Sequence, residues 1–156
     1  MKTVRLHSQV PIAADIDAVF SFFADAGNLD LLTPDWLRFR ILSPQPIRME
    51  PGVEIDYRLR IRGVPIGWRS RITAWDPPHS FVDEQIRGPY RQWIHQHRFS
   101  SSPEGTRVED RVDYAVWGGS LVDRLLVAPD LDRIFEYRSA RLVEQFQSDN
   151  GNRLLE

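Results

Sequence analysis

"VEIDYRLRIRG", residues 53–63, decides the fold class. Val53, Ile55, Tyr57, Leu59 and Ile61 fall at every second position, with Glu54, Asp56, Arg58, Arg60 and Arg62 between them. A period of two belongs to a β-strand with one covered face and one wet face. Gly63-Val64 reads as a two-residue turn opened by glycine. "IGWRSRITAW" (66–75) then returns with Trp68, Ser70 and Ile72 inward and Arg69 and Arg71 outward.

The same alternation runs outward in both directions. "TVRLHSQV" (3–10) and the short "RFRILS" (38–43) read as strands before it, and "SFVDEQI" (80–86), "YRQWIHQHRF" (90–99) and "TRVEDRVDYAV" (106–116) after it. Between the first two lie a helical period, with Asp15 as N-cap and Val19, Phe20 and Phe23 on one face, and a second short helix, "NLDLLTP", closed before Pro34. The stretch 120–147 is helical again, with Leu121, Leu125, Leu131, Ile134, Phe135, Leu142 and Phe146 at helix spacings and Pro129 expected to kink or divide it.

One strand, two short helices, six strands and a long helix give an α+β chain. A curved antiparallel sheet of about seven strands has one apolar face to cover, and the terminal helix is the one element large enough to cover it. This is a helix-grip architecture. Leu131, Ile134, Phe135, Leu142 and Phe146 are expected to pack on Val53, Ile55, Leu59 and Ile72. Residues 1–148 are expected to form a single domain, with 149–156 a flexible tail.

Composition narrows the function. The 156 residues are 42% hydrophobic and 27% charged, and the net charge is -2 from 20 basic and 22 acidic residues. Nothing there favours nucleic acid as a partner. With no cysteine, disulfides, thiolate metal sites and cysteine nucleophiles are excluded. No segment reads as a signal peptide or a membrane span, so the expected location is the cytoplasm.

The chemistry concentrates in "RQWIHQHRF" (91–99), where His95 and His97 leave one strand face together with Trp93 and Phe99. If "RGP" joins Ile86 directly to Tyr90, Asp83 faces Trp93 and Gln85 faces Arg91. Parity across the next hairpin brings Asp110 beside one of the two histidines. The inward set is then Tyr57, Trp68, Ser70, Asp83, Gln85, Trp93, His95, His97 and Asp110.

Four readings compete for these polar groups. Two imidazoles and a carboxylate suit zinc or iron, but no third imidazole converges, so no metal and no other cofactor is expected. A His–Asp pair can serve as acid and base near neutral pH, making His95, His97 and Asp110 the catalytic candidates. Paired polar groups inside a core are the plainest alternative. Polar contacts in a ligand cavity are the fourth, and a cluster this dense favours them over a dry core.

The element order, with "PIAADIDAVFSFFADAGNLDLLTPDWLRFRILSP" (11–44) and "ITAWDPPHSFVDEQIRGPYRQWIHQHRF" (72–99), resembles the START-like (SRPBCC) superfamily. That superfamily includes Bet v 1 allergens, lipid-transfer domains and polyketide cyclases. Within it the chain is similar to a bacterial subgroup described as cyclase/dehydrase-like or ligand-binding. The resemblance implies a cavity between sheet and C-terminal helix that takes a small hydrophobic or aromatic molecule, lipid or polyketide-like. No catalytic motif of the superfamily maps onto this chain, and none is carried over. A cyclase or dehydratase using a His–Asp pair, and a protein-interaction module using the outer sheet face, are the alternatives.

Overall fold

In a computed structural model, the backbone is described for residues 1–155 and the side chains for 1–147; the tail expected over 149–156 lies outside the fully described residues. Seven strands form one antiparallel sheet: β1 (Val4–Ile12), β2 (Arg40–Ile41), β3 (Glu54–Ile61), β4 (Val64–Asp76), β5 (Ser80–Arg87), β6 (Gln92–Ser102) and β7 (Gly105–Ala115). Their spatial order is β1-β7-β6-β5-β4-β3-β2, so the first strand pairs with the last. Helices α1 (Ile16–Ala24) and α2 (Leu29–Leu32) fill the connection from β1 to β2. Asp15 caps α1 as expected, its carboxylate accepting the Ala18 amide at 2.9 Å.

Three local readings need correction. The β3–β4 turn is Arg62-Gly63, one residue earlier than expected, because Ile61 already faces Val64. Both turn residues have positive φ, 50° and 80°, as a type I′ turn requires, and that twist matches the flanking strands. In 38–43 only Arg40 and Ile41 pair as strand; Ser43 Oγ then takes the Asp56 amide at 2.8 Å. In the β5–β6 hairpin Asp83 faces His95, not Trp93, and the pairing ends at Glu84 opposite Ile94. The loop is wider than "RGP" because Gln85 clamps it, donating to the Tyr90 carbonyl at 2.8 Å and accepting the Tyr90 amide at 3.1 Å.

The terminal segment runs through α3 (Gly119–Val122), a π turn (Asp123–Val127) and α4 (Ala128–Leu155). Pro129 has no amide hydrogen, and its ring would strike the carbonyl one turn back; the wider π winding ahead of it accommodates both. The Tyr114 hydroxyl donates to Asp123 at 2.8 Å and pins that turn to β7.

Two apolar clusters make the core. Val19, Phe20 and Phe23 of α1 meet Phe81, Phe99, Val108, Leu142 and Phe146 in one. Trp93, Val112 and Tyr114 meet Leu131 and Phe135 in the other. The C-terminal helix therefore packs on β1, β6, β7 and α1 rather than on Val53, Ile55, Leu59 and Ile72. Ile55 and Ile72 are buried outside these two clusters, and a space remains between the β3–β4 end of the sheet, at Leu59 and Trp68, and α4.

Leu142, 1% exposed, ties α4 to α1 and the sheet. Leu142→Ala is expected to cost about 2–5 kcal/mol, and Asp15→Ala about 1 kcal/mol. Urea titration followed by circular dichroism measures both, and equal losses would contradict this division of roles.

Candidate functional site

The open space is a cavity of about 600 Å³. Leu59, Trp68 and Trp93 from the sheet form one wall, and Leu131, Ile134 and Phe135 from α4 the other. Trp68, Tyr90 and Trp93 pack edge to face or tilted, with ring centroids 4.8–5.7 Å apart, and make the sheet wall aromatic. At the mouth, Arg62 in the β3–β4 turn bonds Asp130 of α4 at 3.2 Å, and Arg133 lies over the Trp36 ring at 5.1 Å. His95 and Arg138 also line the space, as do Thr33 and Tyr90.

Behind His95 is a buried ionisable cluster. His95 Nε2 lies 2.7 Å from Asp110 Oδ1, and His97 Nε2 lies 2.6 Å from Asp83 Oδ2. The bonds cross the register: Asp83 stands directly opposite His95, and Asp110 directly opposite His97. The crossing draws the two imidazoles into a stack with centroids 3.7 Å apart and planes 26° apart. Phe81 stacks on the far side of His97 at 4.0 Å, and Phe135 meets His95 edge on at 5.7 Å. The four rings join the two apolar clusters.

Charge settles the proton positions. Burial opposes ionisation of Asp110, but the Arg138 guanidinium 3.5 Å away and the bond from His95 hold it well below the usual carboxylate range. Burial likewise opposes the Asp83 charge and is the largest single influence on it, but the bond from His97 and the His97, His95 and Arg138 charges together outweigh it, so this carboxyl is also held low. Burial first, and the neighbouring His95 ring second, lower His97 to about 4. At neutral pH both carboxylates accept, and each histidine donates from Nε2.

Asp83, His95 and His97 bring one donor atom each within 4.8 Å of one another. They make a poor metal site. Both Nε2 atoms are spent on carboxylates, and the stacked rings hold their lone pairs in nearly parallel planes, so one ion cannot lie in both. The arrangement suits the holding and sharing of protons.

Of the residues expected at the site, Trp68, Trp93 and His95 line the cavity, and His97, Asp83 and Asp110 form the layer behind. Ser70 is buried and accepts the Trp68 indole N–H at 3.0 Å, while Tyr57 packs on Phe39. Gln85 is committed to its loop. Arg138 was missed, although the spacing of Leu131, Phe135, Arg138 and Leu142 places one charge on the helix's apolar stripe.

The sequence model described as "Polyketide cyclase / dehydrase and lipid transport" matches residues 12–143. The chain belongs to this polyketide cyclase/dehydrase and lipid transport family. Solved structures agree with that family's Bet v 1-like fold. The di-domain ARO/CYC StfQ from the steffimycin biosynthetic pathway superposes with a TM-score of 0.75 at 15% identity, over 96% of this chain and 52% of that one. Protein CV1439 from Chromobacterium violaceum gives 0.70 at 14%, over 92% and 96%. Ara h 8.0201 gives 0.68 at 13%, over 94% and 99%. At these identities the likeness carries the fold alone. No curated protein matches the chain. Among the described residues of this family member, no helix is long and apolar enough to cross a membrane.

The cluster fixes a direction of pH dependence. His97 is lowered from 6.5 to about 4 on folding, so the unfolded chain binds the extra proton between those values. Stability is therefore expected to fall as pH drops through that window, and further as Asp83 and Asp110 are protonated below it. His97→Gln should flatten the first part of the curve. Urea midpoints measured at a series of pH values check this, and an unchanged slope would place the dependence elsewhere.

Proposed function

We propose that this protein binds or carries a small hydrophobic or aromatic molecule, lipid or polyketide-like, between the sheet and the C-terminal helix. The supporting observation is the cavity itself: about 600 Å³, walled by Trp68, Trp93, Leu59, Leu131 and Phe135. That volume is within the usual range for small-molecule sites, and a mostly apolar wall with few polar groups selects an apolar body with one or two oxygens. His95 and Arg138 would meet those oxygens. The family description, which names lipid transport beside polyketide chemistry, fits the same class.

A second reading rests on one contact. His95 lines the cavity while its Nε2 bonds Asp110, the relation of a general base to the carboxylate that orients it. A bound polyketide-like molecule with an acidic C–H beside a carbonyl could then lose its proton to Nδ1. Cyclisation or dehydration would follow from that step. His97, bonded to Asp83 in the layer behind, would position His95.

Native mass spectrometry of freshly purified protein is expected to show a retained small molecule. Ile134→Trp, which fills the cavity from α4, should keep the fold yet weaken uptake of an apolar fluorescent probe by about tenfold or more, equivalent to about 1.4 kcal/mol. Unaltered uptake in that variant would defeat the cavity reading. His95→Gln separates the two readings. A carrier should change affinity by about 0.5–1.5 kcal/mol, whereas an enzyme should retain binding and lose about 10²–10⁴-fold in turnover. Product formed by wild type from a molecule that the variant merely retains would establish the enzyme.

A further inference from the structure

The outer face of the sheet carries a second feature, unrelated to the cavity. Arginines project from it in rows, and farther along β3 and β4 they are neutralised. Arg69 makes a two-pronged bond to Asp56, at 2.8 and 3.4 Å, and Arg71 bonds Glu54 at 2.6 Å. Toward the β3–β4 turn this stops. Arg38, Arg40, Arg58 and Arg60 are all exposed, and none has a hydrogen bond or ion pair among the described residues. The nearest acid on the same row, Asp56, is already taken by Arg69.

The register makes this costly. Arg40 on β2 stands directly opposite Arg58 on β3, and like charges facing each other across strands are destabilising. On the other side Arg58 faces Gly67, which has no side chain and only open space where one would point. A hollow results, lined by Arg38, Arg58, Arg60, Leu42, Pro65 and Gly67, with a volume of about 380 Å³ and no acidic residue in its wall.

We propose that this hollow binds a phosphoryl group. Guanidinium N–H forks match phosphate oxygens two at a time, and an anionic phosphoryl group between Arg38, Arg58 and Arg60 would offset the positive charge crowded there, to which Arg40 opposite Arg58 adds. Leu42, 49% exposed, and Pro65 supply an apolar edge beside the charge. Such a surface suits a phosphate carried on an organic body. The carrier is either a soluble phosphate ester or the headgroup of a phospholipid.

Inorganic pyrophosphate, titrated at low salt by calorimetry, and sedimentation with vesicles of equal parts phosphatidylglycerol and phosphatidylcholine test the two sources. Arg58→Gln/Arg60→Gln is compared with Arg69→Gln/Arg71→Gln, which removes the same charge from the paired part of the face. The expected result is saturable binding of at least one probe, weakened about tenfold or more in the first variant and nearly unchanged in the second. Saturable pyrophosphate binding assigns a soluble ester; binding to the vesicles alone assigns the headgroup. Should the double variant fail to fold, Arg38→Gln, outside the strands, carries the same comparison. No binding of either probe, or equal loss in both variants, overturns the proposal, since the second outcome means bulk charge alone.

Discussion

The buried contact between Asp110 and its cationic and imidazole neighbours holds this fold in one arrangement. Asp110 comes from β7, His95 and His97 from β6, Asp83 from β5 and Arg138 from α4. Adjacent strands make each histidine–carboxylate bond, and all four elements must dock together before the whole set is assembled. Removing one partner would leave a charge buried without compensation, which typically costs several kcal/mol. The apolar clusters on either side supply the bulk of the driving force, but they are non-directional. Arg138 brings the helix into this cluster as an ion pair 3.5 Å from Asp110, and its charge acts on Asp83 as well.

That placement explains the cavity. With α4 drawn toward β6 and β7, the inward residues Leu59 and Trp68 of the β3–β4 arm face the cavity, which Leu32, Trp36 and Leu37 also line. A helix lying centrally on the sheet would have filled that space with Leu131 and Ile134. Instead the same polar group that anchors the helix, through Arg138 and His95, also forms the polar part of the cavity wall. Structural anchoring and ligand contact are joined in one set of residues, so changes to the inner layer are expected to disturb both.

Much of this was legible in the sequence because alternation and helix spacing are local. Asp15 as a cap follows from the onset of the helical period, and the strands, the inward face of His95 and His97, and their proximity to Asp110 follow from parity, which survives modest errors in loop length. What failed depended on the loops. The β5–β6 register moved by two residues because Gln85 reached across to Tyr90, a long side chain doing what a short turn would otherwise do. The partners of α4 were misassigned because amphipathic faces reveal that a helix covers a sheet, not which strands it covers. Arg138 was overlooked as one arginine in a charged helix. Only its position within the apolar stripe distinguished it, and burial gave that position meaning.

The π turn at Asp123–Val127 bears on how chain length can vary. A π turn holds an extra residue relative to an α turn, and here its last residue, Val127, is the first of the terminal segment to line the cavity. Removing one residue there would let the segment return to ordinary α winding, leaving Leu131, Phe135 and Arg138 facing the sheet. Removing one residue after Pro129 would rotate everything beyond it by about 100° and turn that face to solvent. Single-residue deletions should therefore be tolerated on one side of the proline and ruinous on the other, a boundary set by winding rather than by burial.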